Sequence, residues 1–260
     1  MTGPVGVDER PRLGPVRLAW RATEMLGLFL LLPGVLAVLM DPWDRARPAL
    51  DLVWMGWLCD VEVNRSLLVF PLLLATTATI VVFLLFDRSF DTKRLWNWGG
   101  MARGLPRVLG VWAYAMVALL GLAYVLTHHT EVLPEEGFLR LPLGNPGLML
   151  AIAIFYPVFS AFPQEVTHRA FFFHRYRVFF PGRWTMIVAN AIAFMWLHAL
   201  FWNWIALGLT LGGGLLFAYT YDRSKSTLLA GVEHALYGIW VFFTGLGWFV
   251  YTGSVGAGPQ

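Results

Sequence analysis

The sequence predicts an all-α, polytopic transmembrane helical bundle, and three observations carry that prediction. Of 260 residues, 58% are hydrophobic and 13% charged, about half the charged fraction of an ordinary soluble domain. Mean hydropathy is +0.62, and the apolar residues gather into runs of roughly 16 to 25, the length that crosses a hydrocarbon core about 30 Å thick. No ten-residue alternation marks a β-barrel, and open sheet edges do not survive in lipid, so helices are the remaining solution. One cysteine, Cys59, makes neither an intrachain disulfide nor a thiolate metal site.

Seven spans, with an eighth crossing left open, are expected at about 25–40, 66–86, 108–126, 148–172, 184–202, 204–221 and 228–250, each bounded by charges or Pro/Gly turns. The first has basic flanks like a signal peptide, but Met40-Asp41-Pro42-Trp43 is a poor cleavage site, so it reads as a retained anchor. Between the second and third, Asp87 to Pro106 mixes cations with Phe90, Trp96 and Trp98 as a membrane-surface connector does. The loop Thr127 to Pro146, with His128-His129 and Glu135-Glu136, reads as exposed and polar rather than as a metal site. The fifth and sixth spans are short around Asn203, so a crossing plus a re-entrant piece is also open there, and 244–252 has the length to fold back. Residues 1–260 are expected to form a single integral-membrane domain.

Sidedness follows from the cations. If the N-terminus is cytoplasmic, fourteen Lys and Arg fall on the inner side and four on the outer, with Arg169 alone inside an apolar run. The basic balance of 19 cations against 16 acids is then an orientation signal and a contact with anionic lipid, not a nucleic-acid surface.

The informative residues are the ionisable ones at membrane depth, each costing at least about 2.5–3.5 kcal/mol at a helix centre on insertion scales. Glu165, His168 and Arg169 lie in one stretch, His198 in a second, Glu233 and His234 in a third. Glu165 and Arg169 are spaced i, i+4 in the favourable order for a helical ion pair. Glu165 and His198 are 33 residues apart, and the midpoint falls between Pro181 and Gly182, a strong turn signal. In an antiparallel hairpin closing there, both lie roughly 25 Å from the turn at 1.5 Å per residue and face each other. His234, nine residues beyond Lys225, reaches nearly the same depth. A carboxylate and two imidazoles are therefore expected in one intramembrane cavity, with Arg169 on the flank of Glu165. Two chemistries are open to such a set: a metal-free carboxylate that activates water beside an imidazole that donates to an oxyanion, or a zinc site held by Glu165, His198 and His234. Arg169 already balances Glu165, and a zinc ion beside it would set two positive centres within one turn, which favours the metal-free form.

At these residues the chain resembles the CAAX prenyl protease and bacteriocin-processing family of intramembrane proteases. Gln164-Glu165-Val166-Thr167-His168-Arg169 is similar to its Glu-Glu-x-x-x-Arg motif, Phe194 to His198 matches Phe-x-x-x-His, and His234 to Gly238 is similar to His-x-x-x-Asn. The resemblance makes 148–240 the protease-like core. It implies hydrolysis of a peptide bond in a membrane-anchored substrate such as a C-terminal tail, a lipidated peptide or a leader, in a bacterial inner membrane. It also implies the roles: Glu165 activates water, His198 orients it or binds metal, His234 stabilises the oxyanion, and Gln164, Arg169, His168 and Phe194 support them. Two positions depart from the pattern. Gln164 replaces the glutamate usually given the base role, and Gly238 offers no donor at the oxyanion site. His168, one turn from Glu165, either packs beside Arg169 or makes good the missing carboxylate. A catalytically silent scaffold or immunity protein, and a transporter with a Glu/His proton relay, are the competing functions.

Overall fold

The structure, a computed structural model, describes residues 13–39, 66–130, 132–133 and 137–251. Cys59, Met40-Asp41-Pro42-Trp43 and Glu135-Glu136 lie outside the described residues. Eight helices appear among the described residues, and no strand: α1 Pro15–Leu39, α2 Ser66–Phe86, α3 Trp98–His128, a single turn α4 Arg140–Gly144, α5 Pro146–Tyr176, α6 Arg183–Leu197, α7 Trp204–Ser224 and α8 Thr227–Thr244. All but α4 belong to stretches long and apolar enough to cross a membrane. Large apolar side chains such as Val117, Leu150 and Ile154 stay bare on the outward faces, where lipid tails are the solvent. The chain is an integral membrane protein.

Two helices start well before the expected spans, for one reason: hydropathy finds the lipid-facing part of a helix and misses its interfacial turn. Helix α1 starts at Pro15, a proline at its first turn that needs no N–H partner. Its first turns carry Arg21, which donates to Arg175 O at 3.0 Å, and Glu24, which accepts two bonds of 2.8 Å from Arg175 and one of 3.0 Å from the Tyr176 hydroxyl. Likewise α3 begins at Trp98, capped by Asn97 Oδ1 accepting from Gly100 N at 2.9 Å. The connector expected over 87–106 is thus a short 3-10 turn, Thr92–Arg94, followed by the start of α3.

The charged groups gather at one end of the bundle. Asp87 bonds Ser89 Oγ at 2.6 Å and His174 Nε2 at 3.0 Å. Burial works against its charge, but these bonds outweigh it and hold the carboxyl at about 2. That contribution is present above the usual carboxylate range and is lost only as the pH falls toward about 2. Asp222 pairs with Arg183 at 2.6 Å and Lys225 at 2.8 Å, and Asn97 Nδ2 donates to Ser224 O at 3.1 Å.

At the other end, α6 gives way to a 3-10 turn, His198–Phe201, and Trp202 takes a left-handed φ of 55°. Asn203 then caps α7 by accepting from Ala206 N at 2.7 Å. The pair around Asn203 is therefore two full helices. Its Nδ2 also donates to Phe249 O at 2.8 Å, pinning the 3-10 turn Leu246–Val250 that folds back after Gly245, whose φ of 97° ends α8. The indoles of Trp196 and Trp202 donate to Leu30 O at 2.8 Å and Ala37 O at 2.7 Å, which fastens α1 to α6 and to the turn that follows it.

Helices α6 and α7 approach closely where Gly214 meets Ala191. A Cβ at 214 would lie 3.1 Å from Ala191 Cα and 3.2 Å from its carbonyl oxygen, the small-residue contact by which membrane helices associate. Gly214→Leu is expected to cost about 1–3 kcal/mol by overpacking, read as a lower thermal midpoint in detergent. An unchanged midpoint would show that the helices separate freely.

Candidate active site

Helix α5 is wound unevenly, and the sequence explains the first irregularity. Pro157 and Pro163 lack the N–H groups that would bond Ala153 O and Phe159 O. Between them the ladder widens into a π turn, Pro157–Ala161, closed by Phe162 N–H to Pro157 O. A second π turn spans Val166–Phe171. Such wide turns recur at functional sites because they re-aim side chains. Here they present Gln164 and His168 to a cavity while Glu165 and Arg169 face inward.

Glu165 is fully buried. Its Oε1 lies 2.9 Å from His234 Nδ1, and its Oε2 lies 2.9 Å from Arg169 Nε, close in charge but out of hydrogen-bond alignment. Arg169, also fully buried, donates to Asn190 Oδ1 at 3.0 Å, and its guanidinium stands 4.8 Å over the Phe194 ring and 5.7 Å from that of Phe217. Asn190 Nδ2 donates in turn to His168 O at 2.6 Å. One charge pair thereby locks α5 to α6.

His234 lies between two partners. A carboxylate only accepts, so Nδ1 carries the proton shared with Glu165, and Nε2 accepts from the Tyr156 hydroxyl at 2.9 Å. The ring stacks on Phe217 with centroids 4.8 Å apart and planes at 19°.

His168 and His198 behave differently. Each donates Nδ1–H to the carbonyl four residues back, Gln164 O at 3.1 Å and Phe194 O at 2.8 Å. That fixes the tautomer and leaves each Nε2 an acceptor with no hydrogen-bond partner among the described residues. Both rings flank Phe194, at centroid distances of 5.3 and 4.7 Å. Gln164 Nε2 donates to Ser160 Oγ at 3.1 Å, while its Oε1 has no hydrogen-bond partner among the described residues.

Some of these groups form the polar floor of a cavity of about 460 Å³ whose remaining wall is mostly apolar side chains, many of them from α1, α2, α3, α7 and α8. Gln164, His168, His198, His234 and Tyr156 line it; Glu165, Arg169 and Glu233 do not. Glu165 reaches the cavity only through His234. The zinc set considered above, Glu165, His198 and His234, is not arranged for a shared ion. Glu165 and His234 are bonded to each other and to Arg169 and Tyr156, leaving only His198 with a free nitrogen, and no group of three or more His, Cys, Asp or Glu converges at ligand spacing among the described residues.

Sequence reasoning missed Tyr156 and Asn190. Both carry polar groups at membrane depth, and the criterion applied to ionisable residues would have found them had it covered hydroxyls and amides, which in lipid also need partners.

Residues 146–240 match the family described as Rce1-like, type II CAAX prenyl endopeptidase Rce1-like. No curated protein and no solved structure matches the chain. Helices α1 to α3 fall outside the matched stretch, whereas Tyr156, Gln164, Glu165, His168, Arg169, His198 and His234 all fall within it. From α5 to the middle of α8, then, this integral membrane protein is similar to a protease family, the Rce1-like type II CAAX prenyl endopeptidases.

Proposed function

We propose that the protein is an intramembrane endopeptidase that cleaves a membrane-anchored, lipid-modified peptide, with water activated by imidazole and not by Glu165. The observation that carries this is the cavity floor, where His168 and His198, each with an Nε2 unspent on any hydrogen bond among the described residues, line one space together with Gln164. Water there donates one hydrogen to His168 Nε2 and the other to His198 Nε2. His168 takes the proton as oxygen attacks the carbonyl carbon and returns it to the leaving amine, while His198, accepting the water's other hydrogen, orients the attacking lone pair. The apolar wall suits a lipid tail, and the family's printed activity supports a prenylated one. Glu165 and Arg169 serve as the buried pair that fixes His234. Fourteen inner cations support an inner face at the end that holds Asp87 and Asp222, with the N-terminus in the cytoplasm of a bacterial cell.

The test is cleavage of an internally quenched, farnesylated CAAX peptide by the purified chain in liposomes. Prolonged exposure to a strong chelator is expected to leave the rate unchanged, because the donor set does not converge on an ion. Stoichiometric zinc by elemental analysis, with activity lost on removal and restored on return, would overturn the metal-free mechanism. One observation favours a second reading, a silent family member that binds such peptides: among the described residues no carboxylate lines the cavity. Binding of the peptide without turnover would select it.

A further inference from the structure

Gly238 leaves a gap beside the cavity, and Tyr156 fills it. A Cβ at 238 would overlap the Tyr156 ring at Cε1, Cζ and the hydroxyl, so a residue with a side chain there would evict the tyrosine. With glycine, the phenol reaches His234 Nε2 at 2.9 Å, its ring edge-on to the imidazole at 5.9 Å and 80°. Behind His234 stands the buried Glu165 carboxylate at 2.9 Å. Tyr156 also lines the cavity. His234 cannot itself donate to a substrate, since Nδ1–H is spent on Glu165 and Nε2 is an acceptor.

We infer that Tyr156 is a catalytic residue of this site, its hydroxyl donating to the substrate oxygen that becomes anionic under attack, and that Gly238 is the position that admits it. The inference rests on the endopeptidase reading. At rest the hydroxyl donates to His234 Nε2, which holds it in place. As the carbonyl oxygen gains charge, the hydroxyl exchanges a neutral acceptor for an anionic one, and charge-assisted bonds are the stronger kind. No covalent bond to Tyr156 forms or breaks. Glu165 and His234 are then positioning residues that pre-aim the donor, the arrangement that makes such stabilisation effective.

Tyr156→Phe keeps the ring and removes the donor. With the farnesylated quenched peptide, kcat is expected to fall about 100-fold, the usual effect of removing one oxyanion donor, while KM stays within about twofold and the thermal midpoint is kept. Tyr156→Ala opens the gap, and Tyr156→Ala/Gly238→Asn puts an amide donor into it. The double variant is expected to recover at least about tenfold in kcat over Tyr156→Ala. A Tyr156→Phe enzyme with wild-type kcat, or one whose loss lies in KM or folding, overturns the inference and leaves the endopeptidase reading standing. A wild-type chain that cleaves nothing removes both.

Discussion

Arg169→Ala is expected to cost about 3–5 kcal/mol, the penalty for stranding one member of a desolvated ion pair. Glu165 would keep a buried charge without its guanidinium partner, Asn190 Oδ1 would lose its donor, and the Phe194 and Phe217 rings would lose the cation beside them. The measurements are membrane yield and thermal midpoint in detergent. Arg169→Lys should rescue little, because a single ammonium does not reach both Glu165 and Asn190 as the guanidinium fork does. Adding Glu165→Gln to Arg169→Ala should restore part of the loss by removing the orphaned charge, a coupling that only direct neighbours show. A midpoint for Arg169→Ala equal to wild type would mean that the arginine is solvated or paired elsewhere.

The second large effect concerns the two imidazoles. His168→Gln is expected to reduce kcat by about 10²–10⁴, the range for losing a general base, with folding retained because Gln can still donate to a carbonyl near Gln164. His198→Gln should lower kcat as well, by disordering the water. Gln164→Glu should move the other way in a His168→Gln background, because it returns a carboxylate to the cavity wall beside Ser160. Failure of that combination to gain activity would indicate that water does not occupy the space between residues 164 and 168.

Much of this architecture was legible because lipid makes the rules strict. Seven apolar runs match seven spans, and His198 and His234 do line one cavity, but Glu165, expected there with them, lies behind His234. What escaped was rotational detail. The i, i+4 spacing announced the Glu165–Arg169 pair, but no pattern of residue types reports a π turn, so the facing of Gln164 and His168 toward the cavity, with Glu165 behind His234, was not readable. The helix ends at Pro15 and Trp98 escaped for another reason: interfacial turns carry Arg, Glu and Asn, which a hydropathy window counts as loop. Gly238 looked like a missing donor in the sequence. Its consequence, a seat for the Tyr156 ring arriving from a helix 82 positions earlier, is a property of packing alone.

In the proposed reaction imidazole in the cavity, and not the buried carboxylate, activates water. Chemical rescue tests it most directly: His168→Ala is assayed on the farnesylated quenched peptide with and without added imidazole, across a range of pH. The expected result is a variant with little activity, restored by imidazole in proportion to its neutral form and with no such gain in wild type. A His168→Ala enzyme that cleaves at the wild-type rate without imidazole would contradict it.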